Sequence, residues 1–169
     1  MAGPPISLAR YRQLVGQQVG ASRWFLIDQP RIDRFAEVTE DAQFIHIDPA
    51  SAAKTPFGGT IAHGFLSLSL LSAMAASVIP PVDGAEMAIN YGMNRVRFLK
   101  PVRSGRRLRG VFVLKDLQER DPGQWQSTFN VEAKVEFEET PALVAEWLVL
   151  SILPRPIMVA WSAGDPAAR

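Results

Sequence analysis

The sequence contains no cysteine and only two histidines among its 169 residues. Without cysteine, disulfide bonds and thiolate metal sites are excluded. A net charge of +1 gives no reason to expect nucleic acid or a membrane surface as a partner. The sequence also lacks a phosphate-binding loop, a dinucleotide fingerprint, a zinc pattern and a signal-peptide pattern. These absences fit a cytoplasmic protein.

No apolar run is long enough to cross a membrane. The longest run covers residues 64–79 and contains four serines, whereas a transmembrane helix needs roughly 20 apolar residues. We therefore interpret this run as a buried helix that is ended by Pro80 and Pro81. The chain length predicts a single domain over residues 1–169, with a core at about 15–153 and a loosely ordered tail at 154–169.

The second half of the chain has the alternating pattern of β-strands without intervening helices. Such a pattern predicts an antiparallel sheet and an α+β fold in which the sheet wraps around the long helix. The first half predicts a short helix, a strand and a second helix that begins at the cap Asp28. The strands are predicted at 19–27, 87–98 with a bulge at Gly92, 107–117, 124–138 and 141–153, and the first helix at 8–14.

Asp41 and His46 are the strongest candidates for chemistry. Five residues on a helix correspond to about 140° of rotation, so the two side chains can converge only if the chain turns between them. A carboxylate beside an imidazole is a general acid–base pair that works near neutral pH. The alternative is that Asp41 is an ordinary loop residue and His46 a hydrogen-bonded structural histidine, and the spacing alone leaves both open.

Three neighbouring residues have separate interpretations. Asp48 precedes Pro49, which is typical of a helix N-cap. His63 precedes the long helix, and we interpret it as structural. Gly64 would let a ligand approach the free N–H groups at the start of that helix, where a developing oxyanion can be held. Close packing is the alternative reason for this glycine.

Seven of the eighteen basic residues lie within fifteen positions. They could bind the phosphates of a nucleotide-bearing substrate, or they could form a solvated face. The residues are Arg95, Arg97, Lys100, Arg103, Arg106, Arg107 and Arg109.

Residues 35–74 resemble the MaoC-like dehydratases and (R)-specific enoyl-CoA hydratases, and the nodulation protein N-like subgroup in particular. The family pattern is Gly-Asp-x-Asn-Pro-x-His-x-Asp-Pro, followed by Ala-His-Gly at a helix start. Here the pattern is present as Asp41, His46 and Asp48-Pro49, followed by Ala62-His63-Gly64. Glu40, Gln43 and Phe44 depart from it. The later stretch 89–102 also resembles that subgroup.

The resemblance implies a hot-dog fold, an antiparallel sheet around one long helix, and pairing into a homodimer. It implies reversible hydration of a trans-2-enoyl thioester to the (R)-3-hydroxyacyl thioester, carried by CoA or by acyl carrier protein. Asp41 and His46 would be catalytic, the Gly64 N–H would hold the thioester oxygen, and Ser72 would line the acyl pocket. No metal or redox cofactor is expected. The rival hypotheses are a hot-dog acyl-CoA thioesterase and a non-catalytic module that binds acyl thioesters.

Overall fold

A computed structural model describes residues 3–154 of the chain. The described part begins with short elements and ends with a run of four long strands. The helices are α1 (Leu8–Arg12), α2 (Gln29–Thr39), α3 (Phe44–Ile47), α4 (Pro49–Ala52) and α5 (Gly64–Ala75), and the strands are β1 (Gln18–Ala21), β2 (Phe25–Ile27), β3 (Met87–Phe98), β4 (Arg106–Asp121), β5 (Gln124–Val135) and β6 (Leu143–Ile152).

All six of these strands form one antiparallel sheet with the order β1-β4-β5-β6-β3, and β2 also pairs with β4. The turn predicted after Asp121 joins β4 to β5. The predicted bulge is confirmed, because the register of β3 against β6 shifts between Asn90 and Gly92. Strand β3 lies at the edge of the sheet, which matters for the site because β3 runs beside α5.

The core lies between α5 and the inner face of the sheet. Leu71 and Met74 of α5 are buried against the sheet. Gly110 of β4 allows this contact, because a Cβ there would lie 2.8 Å from the Phe112 ring and 3.3 Å from Met74 Cβ. The alternation predicted for the second half of the chain is present in β4 and β5, where the buried residues include Leu108, Phe112, Leu114, Phe129 and Val131.

The helix is wrapped on one side only, which differs from the prediction of a fully wrapped helix. Phe65 and Ser69 are exposed, and so are the residues that follow them on the same face, Ser72, Ala73 and Ala76. An apolar sequence on all sides therefore does not mean burial on all sides within this chain. The helix also ends at Ala75, before the predicted stop, and the chain continues through turns to Pro80.

Two predicted strands differ from those observed. The predicted strand 19–27 is split into β1 and β2, with Ser22 accepting a hydrogen bond from the Gly110 N–H at the break. Strand β5 ends at Val135, so Phe137, which lies within the predicted strand 124–138, is outside the sheet and 90% exposed with φ 64°. The predicted tail 154–169 lies almost entirely outside the described residues. Within residues 3–154, no helix combines the length and apolar character needed to span a membrane.

Candidate active site

The loop between α2 and α3 brings Asp41 and His46 together. Helix α2 ends after Thr39, where Glu40 takes a left-handed conformation with φ 58°. The chain then turns, and α3 starts at Phe44. One ligating atom of Asp41, one of His46 and one of His63 all lie within 4.8 Å of one another. The turn needed for convergence is therefore present, although the catalytic roles of the two residues stay predictions.

The hydrogen bond of His46 determines which ring nitrogen is free. His46 Nδ1 lies 2.7 Å from the Ile61 carbonyl oxygen. A carbonyl oxygen only accepts, so Nδ1 carries the proton and donates. In the neutral ring, Nε2 is then unprotonated and can accept a proton from a bound water. Only 7% of His46 is exposed, so the ring orientation is held by its surroundings.

His63 is part of the same cluster, which the sequence alone did not indicate. Its ring stacks on His46 with 3.7 Å between ring centroids and an interplanar angle of 26°. His63 Nε2 donates to the Asp41 carbonyl oxygen at 2.9 Å. The Asp41 carboxylate oxygen lies 4.0 Å from the same nitrogen, which is too far for a hydrogen bond. His63 therefore supports both candidate catalytic residues, one through stacking and one through the backbone.

Asp41 differs from the two histidines in its exposure. Its side chain is 55% exposed, whereas His63 is almost fully buried. A carboxylate that reaches solvent can hold a water against the buried imidazole. The arrangement thus combines a solvent-accessible acceptor and a buried base within one small space.

The donor set of this cluster raises the possibility of a metal ion. Two of the four imidazole nitrogens already donate to carbonyl oxygens, and the others are His46 Nε2 and His63 Nδ1. The two rings are stacked and nearly parallel, so their lone pairs point side by side and do not converge on one point. This geometry fits a metal ion poorly, and the metal-free site stays a prediction.

Burial lowers the pKa of His46 below its ordinary value. The neighbouring His63 adds to this effect, while the hydrogen bond to Ile61 and the charge of Asp41 act in the opposite direction. Desolvation is the largest cause, because a charged imidazole loses hydration inside the protein. The neutral, proton-accepting form of His46 is therefore the form favoured at neutral pH.

Gly64 begins α5 beside this cluster. The first N–H groups of a helix have no intrahelical acceptor, and no side chain caps them here. A Cβ on Gly64 would lie 3.0 Å from the Phe98 ring. Close packing thus explains the glycine by itself, while the free N–H remains available to a ligand. A cavity of about 280 Å³ contacts His46, Gly64 and Ser67.

Ser72 lies on the exposed side of α5, eight residues after Gly64 and so about 12 Å along the helix axis. Its hydroxyl accepts a hydrogen bond from Asn90 Nδ2 at 3.0 Å. A cavity of about 210 Å³ between α5 and β3 contacts both side chains. Ser72 is therefore not adjacent to the histidines and lies further along α5, in the groove between α5 and β3.

The basic residues do not form one patch. Arg107 pairs with Glu136 at 2.6 Å and Lys100 with Glu138 at 3.1 Å. Arg109 stacks on Trp24. Arg103 and Arg106 are different, because they line a cavity of about 380 Å³ together with Thr60. Thr60 precedes Ile61, whose carbonyl oxygen accepts the hydrogen bond from His46.

Gln29 is a supporting residue that the sequence interpretation missed. Its Nε2 donates to the His46 carbonyl oxygen at 2.7 Å, and its Oε1 accepts from the Thr60 hydroxyl. Gln29 therefore joins α2, the His46 segment and the segment before α5. Only its position in the first turn of a capped helix, beside the candidate loop, could have indicated this role.

Asp48 caps α4 as predicted. Its carboxylate accepts from the Ala50 and Ser51 N–H groups, each at 3.0 Å, and from the Ser51 hydroxyl at 2.6 Å. These hydrogen bonds, with that of the Ser51 hydroxyl the largest, lower the pKa of Asp48. The residue is thus fully occupied with the helix start.

Residues 10–138 match the family described as "MaoC like domain". The chain belongs to this family. Nodulation protein N of Rhizobium leguminosarum bv. viciae is 49% identical over 146 residues, 86% of this chain and 91% of that protein. The 3-hydroxyacyl-thioester dehydratase Z of Mycobacterium tuberculosis (strain ATCC 25618 / H37Rv) is 42% identical over 143 residues, 85% of this chain and 94% of that protein.

The solved structure of the (R)-hydratase from A. caviae, described as involved in PHA biosynthesis, has the same fold. It superimposes with a TM-score of 0.64 and 27% identity, over 83% of this chain and 96% of that chain. The MaoC-like assignment and the α+β hot-dog fold implied by residues 35–74 are thus confirmed. The nodulation protein N-like subgroup is confirmed as well.

Proposed function

We propose that this MaoC-like protein hydrates trans-2-enoyl thioesters reversibly to (R)-3-hydroxyacyl thioesters. The observation that carries the proposal is the cluster of Asp41 with the Nδ1-protonated His46 beside the free N–H groups of α5. Relatives named as a 3-hydroxyacyl-thioester dehydratase and an (R)-specific enoyl-CoA hydratase support the same reaction class.

The cluster meets the needs of water addition. His46 Nε2 accepts a proton from a water that Asp41 also holds, as the water oxygen forms its bond to carbon 3. The electrons of the double bond move towards the thioester carbonyl, and its oxygen becomes negative. The Asp41/His46 pair returns one proton to carbon 2, so the addition is balanced. Dehydration follows the same steps in reverse.

The start of α5 can stabilise the negative charge that develops on the thioester oxygen. The N–H of Gly64 points from a helix N-terminus that has no side-chain cap. A backbone donor at the positive end of a helix dipole stabilises an oxyanion more than it stabilises the neutral carbonyl. Ser72 is proposed as an acyl-pocket residue, because it contacts the groove that continues along α5.

Arg103 and Arg106 are proposed to contact the phosphates of the thioester carrier. Their cavity lies beside Thr60, one residue before the carbonyl that holds His46. Arg103 Nη2 already donates to the Gly58 carbonyl oxygen at 2.6 Å, which fixes its direction. Both CoA and acyl carrier protein present phosphate groups. Hydration assays with the same enoyl group on each carrier distinguish them.

A homodimer is also proposed. Strand β3 is an edge strand, which leaves backbone hydrogen-bonding groups unpaired. The strand exposes Met87, Ile89 and Tyr91, and the adjacent helix exposes Phe65. A second copy of the chain could cover this apolar surface and the open side of α5.

The deciding experiment incubates the purified protein with crotonyl-CoA and with longer enoyl-CoAs. Loss of the conjugated enoyl-thioester absorbance, with (R)-3-hydroxyacyl-CoA as product, supports the proposal. Release of free CoA without hydration would instead indicate a thioesterase. Binding of acyl-CoA without turnover would indicate a non-catalytic module.

A further inference from the structure

A cavity of about 510 Å³ lies at the far end of α5 from the histidines. It is bounded by the last turn of the helix at Ala75, by the turns that follow as far as Ile79, by α1 and by residues of β3, β5 and β6. The volume falls within the roughly 300–1,000 Å³ of typical small-molecule sites. None of the roles assigned above uses most of this space.

The cavity adjoins the groove between α5 and β3 and shares Ser72 and Asn90 with it. The cavity at the helix start contacts Gly64 and Ser67, the next contacts Leu68 and Ser72, and the large one contacts Ser72 and later residues. Along the same path, the cavities contact β3 first at Phe98 and last at Met87, because β3 and α5 run in opposite directions. The three cavities thus follow one another along α5, and Ser72 lies between the candidate active site and the large cavity.

The wall of this cavity contains hydroxyl and amide side chains, to which an unsubstituted alkyl chain cannot hydrogen-bond. Ser127, Val149 and Asn90 lie opposite one another on β5, β6 and β3, and Ser127 and Asn90 both face the cavity. Ser151 lies two residues beyond Val149, on the same face. Tyr11 reaches the cavity from α1.

The hydroxyl groups of this wall lie in buried residues. Tyr11, Ser127 and Ser151 are all buried. Burial raises the pKa of Tyr11 to about 12, and the Ser127 hydroxyl, within hydrogen-bonding reach, offsets part of this increase. The phenol therefore keeps its proton and can donate to an oxygen atom in the cavity. A plain alkyl chain makes no hydrogen bond with these hydroxyl groups, whereas a chain with a distal oxygen atom does.

We propose that this cavity binds the distal part of an acyl chain that carries a hydroxyl or carbonyl oxygen near its far end, recognised by Tyr11 and Ser127. The proposal rests on the function proposed above, since it defines the substrate class of the same groove. Apolar wall residues such as Phe129 and Trp147 contact the methylene groups, and the hydroxyl groups select the oxygen.

The test compares two substrates that differ only in the distal oxygen, trans-2-decenoyl-CoA and 10-hydroxy-trans-2-decenoyl-CoA. We expect kcat/KM to favour the hydroxylated substrate about tenfold or more, because a buried site built for a hydrogen bond rejects an analogue that lacks it. In Tyr11→Phe and Ser127→Ala the ratio should fall towards one. A ratio at or below one in the wild type overturns the proposal, as does a ratio that neither substitution changes.

Thr128→Val is the matched control. Thr128 follows Ser127 on β5 and faces the opposite side of the sheet, and it is equally buried. Loss of its hydroxyl should leave the ratio unchanged. Because each ratio is taken within one protein, a variant with a smaller folded fraction still reports selectivity.

Calorimetric binding of 10-hydroxydecanoyl-CoA and decanoyl-CoA separates this proposal from the proposed function. These saturated thioesters cannot be hydrated, so binding does not depend on turnover. Tighter binding of the hydroxylated thioester supports the cavity assignment even if no enoyl-CoA is hydrated, in which case the hydratase function alone fails. Equal binding by an active hydratase overturns the cavity assignment alone.

Discussion

The imidazole of His46 stacks on that of His63 at 3.7 Å between ring centroids, while His63 donates to the Asp41 backbone. The only two histidines of the sequence are therefore in direct contact. His46 is left with one free nitrogen, and Asp41 is held at the mouth of the same space. The stacked pair is thus the centre of the candidate site.

Replacing either proposed catalytic residue should lower turnover. We expect Asp41→Asn and His46→Ala each to lower kcat by roughly 10²–10⁴ with a modest change in KM, because acid–base assistance acts mainly in the transition state. The double variant should lose little more than either single variant if the pair acts as a unit. Steady-state hydration of crotonyl-CoA measures this, and near wild-type activity of His46→Ala would refute the assignment.

The pH dependence of kcat/KM should report the lowered pKa of His46. The neutral ring of His46 is the active form, and burial lowers the pKa of this ring below the ordinary value of 6.5. Activity should therefore be retained at pH 6.5 and above, and lost as the pH falls through the pKa of the folded protein. The acidic midpoint should therefore lie below 6.5. An acidic midpoint clearly above that value would contradict this assignment.

His63→Gln tests the contribution of the stacked ring to this pKa. A glutamine can still donate to the Asp41 carbonyl oxygen, but it lacks the electrostatic influence by which His63 lowers the pKa of His46. The acidic midpoint should move to higher pH. A profile that keeps its midpoint would show that His63 has no electrostatic influence on His46.

Arg106→Ala should raise KM for CoA substrates and leave kcat nearly unchanged, because a phosphate contact is felt equally in the ground and transition states. Arg107→Ala is the matched control, since its guanidinium is paired with Glu136 at 2.6 Å. The effect of Arg106→Ala should shrink at high salt. Equal KM values for both variants and the wild type would mean that these residues form a solvated face.

Asp48→Ala should destabilise the fold and leave the proposed hydratase activity of the folded protein intact. Loss of the α4 cap should lower Tm by roughly 2–4 °C in a thermal melt at neutral pH. Because hydrogen bonds lower the pKa of Asp48, its stabilisation is present above the unfolded-state pKa and is lost as the pH falls through the folded-state pKa. The Tm difference should therefore disappear in acid, and a difference that persists there would contradict the cap explanation.

Sedimentation should show a dimer, and Ile89→Arg on the edge strand should shift it towards monomer. The charged side chain would have to be buried unpaired between two copies. Val38→Arg is the control, because Val38 is 78% exposed on α2, which is not part of the proposed dimer surface of β3 and α5. A fully active wild-type monomer at working concentrations would refute the dimer.

Much of the fold followed from local pattern. Alternating residues in β4 and β5 predicted the inner face of the sheet, because successive side chains of a strand point to opposite faces. Asp28 and Asp48 predicted two helix starts, because a cap acts within three residues. The predicted strand end at 138 was wrong for the same local reason, since the alternation continues to Phe137 in the sequence although the strand ends at Val135.

The sequence by itself determined the pair Asp41 and His46, the cap Asp48 and the family resemblance, since all depend on spacings within a short segment. Only the tertiary structure decided that His63 stacks on His46, that Ile61 directs the His46 ring, and that one side of α5 is open. These contacts join residues that are 15 or more positions apart or belong to different elements. Their positions depend on how the sheet and α5 pack together, and no local periodicity encodes that packing.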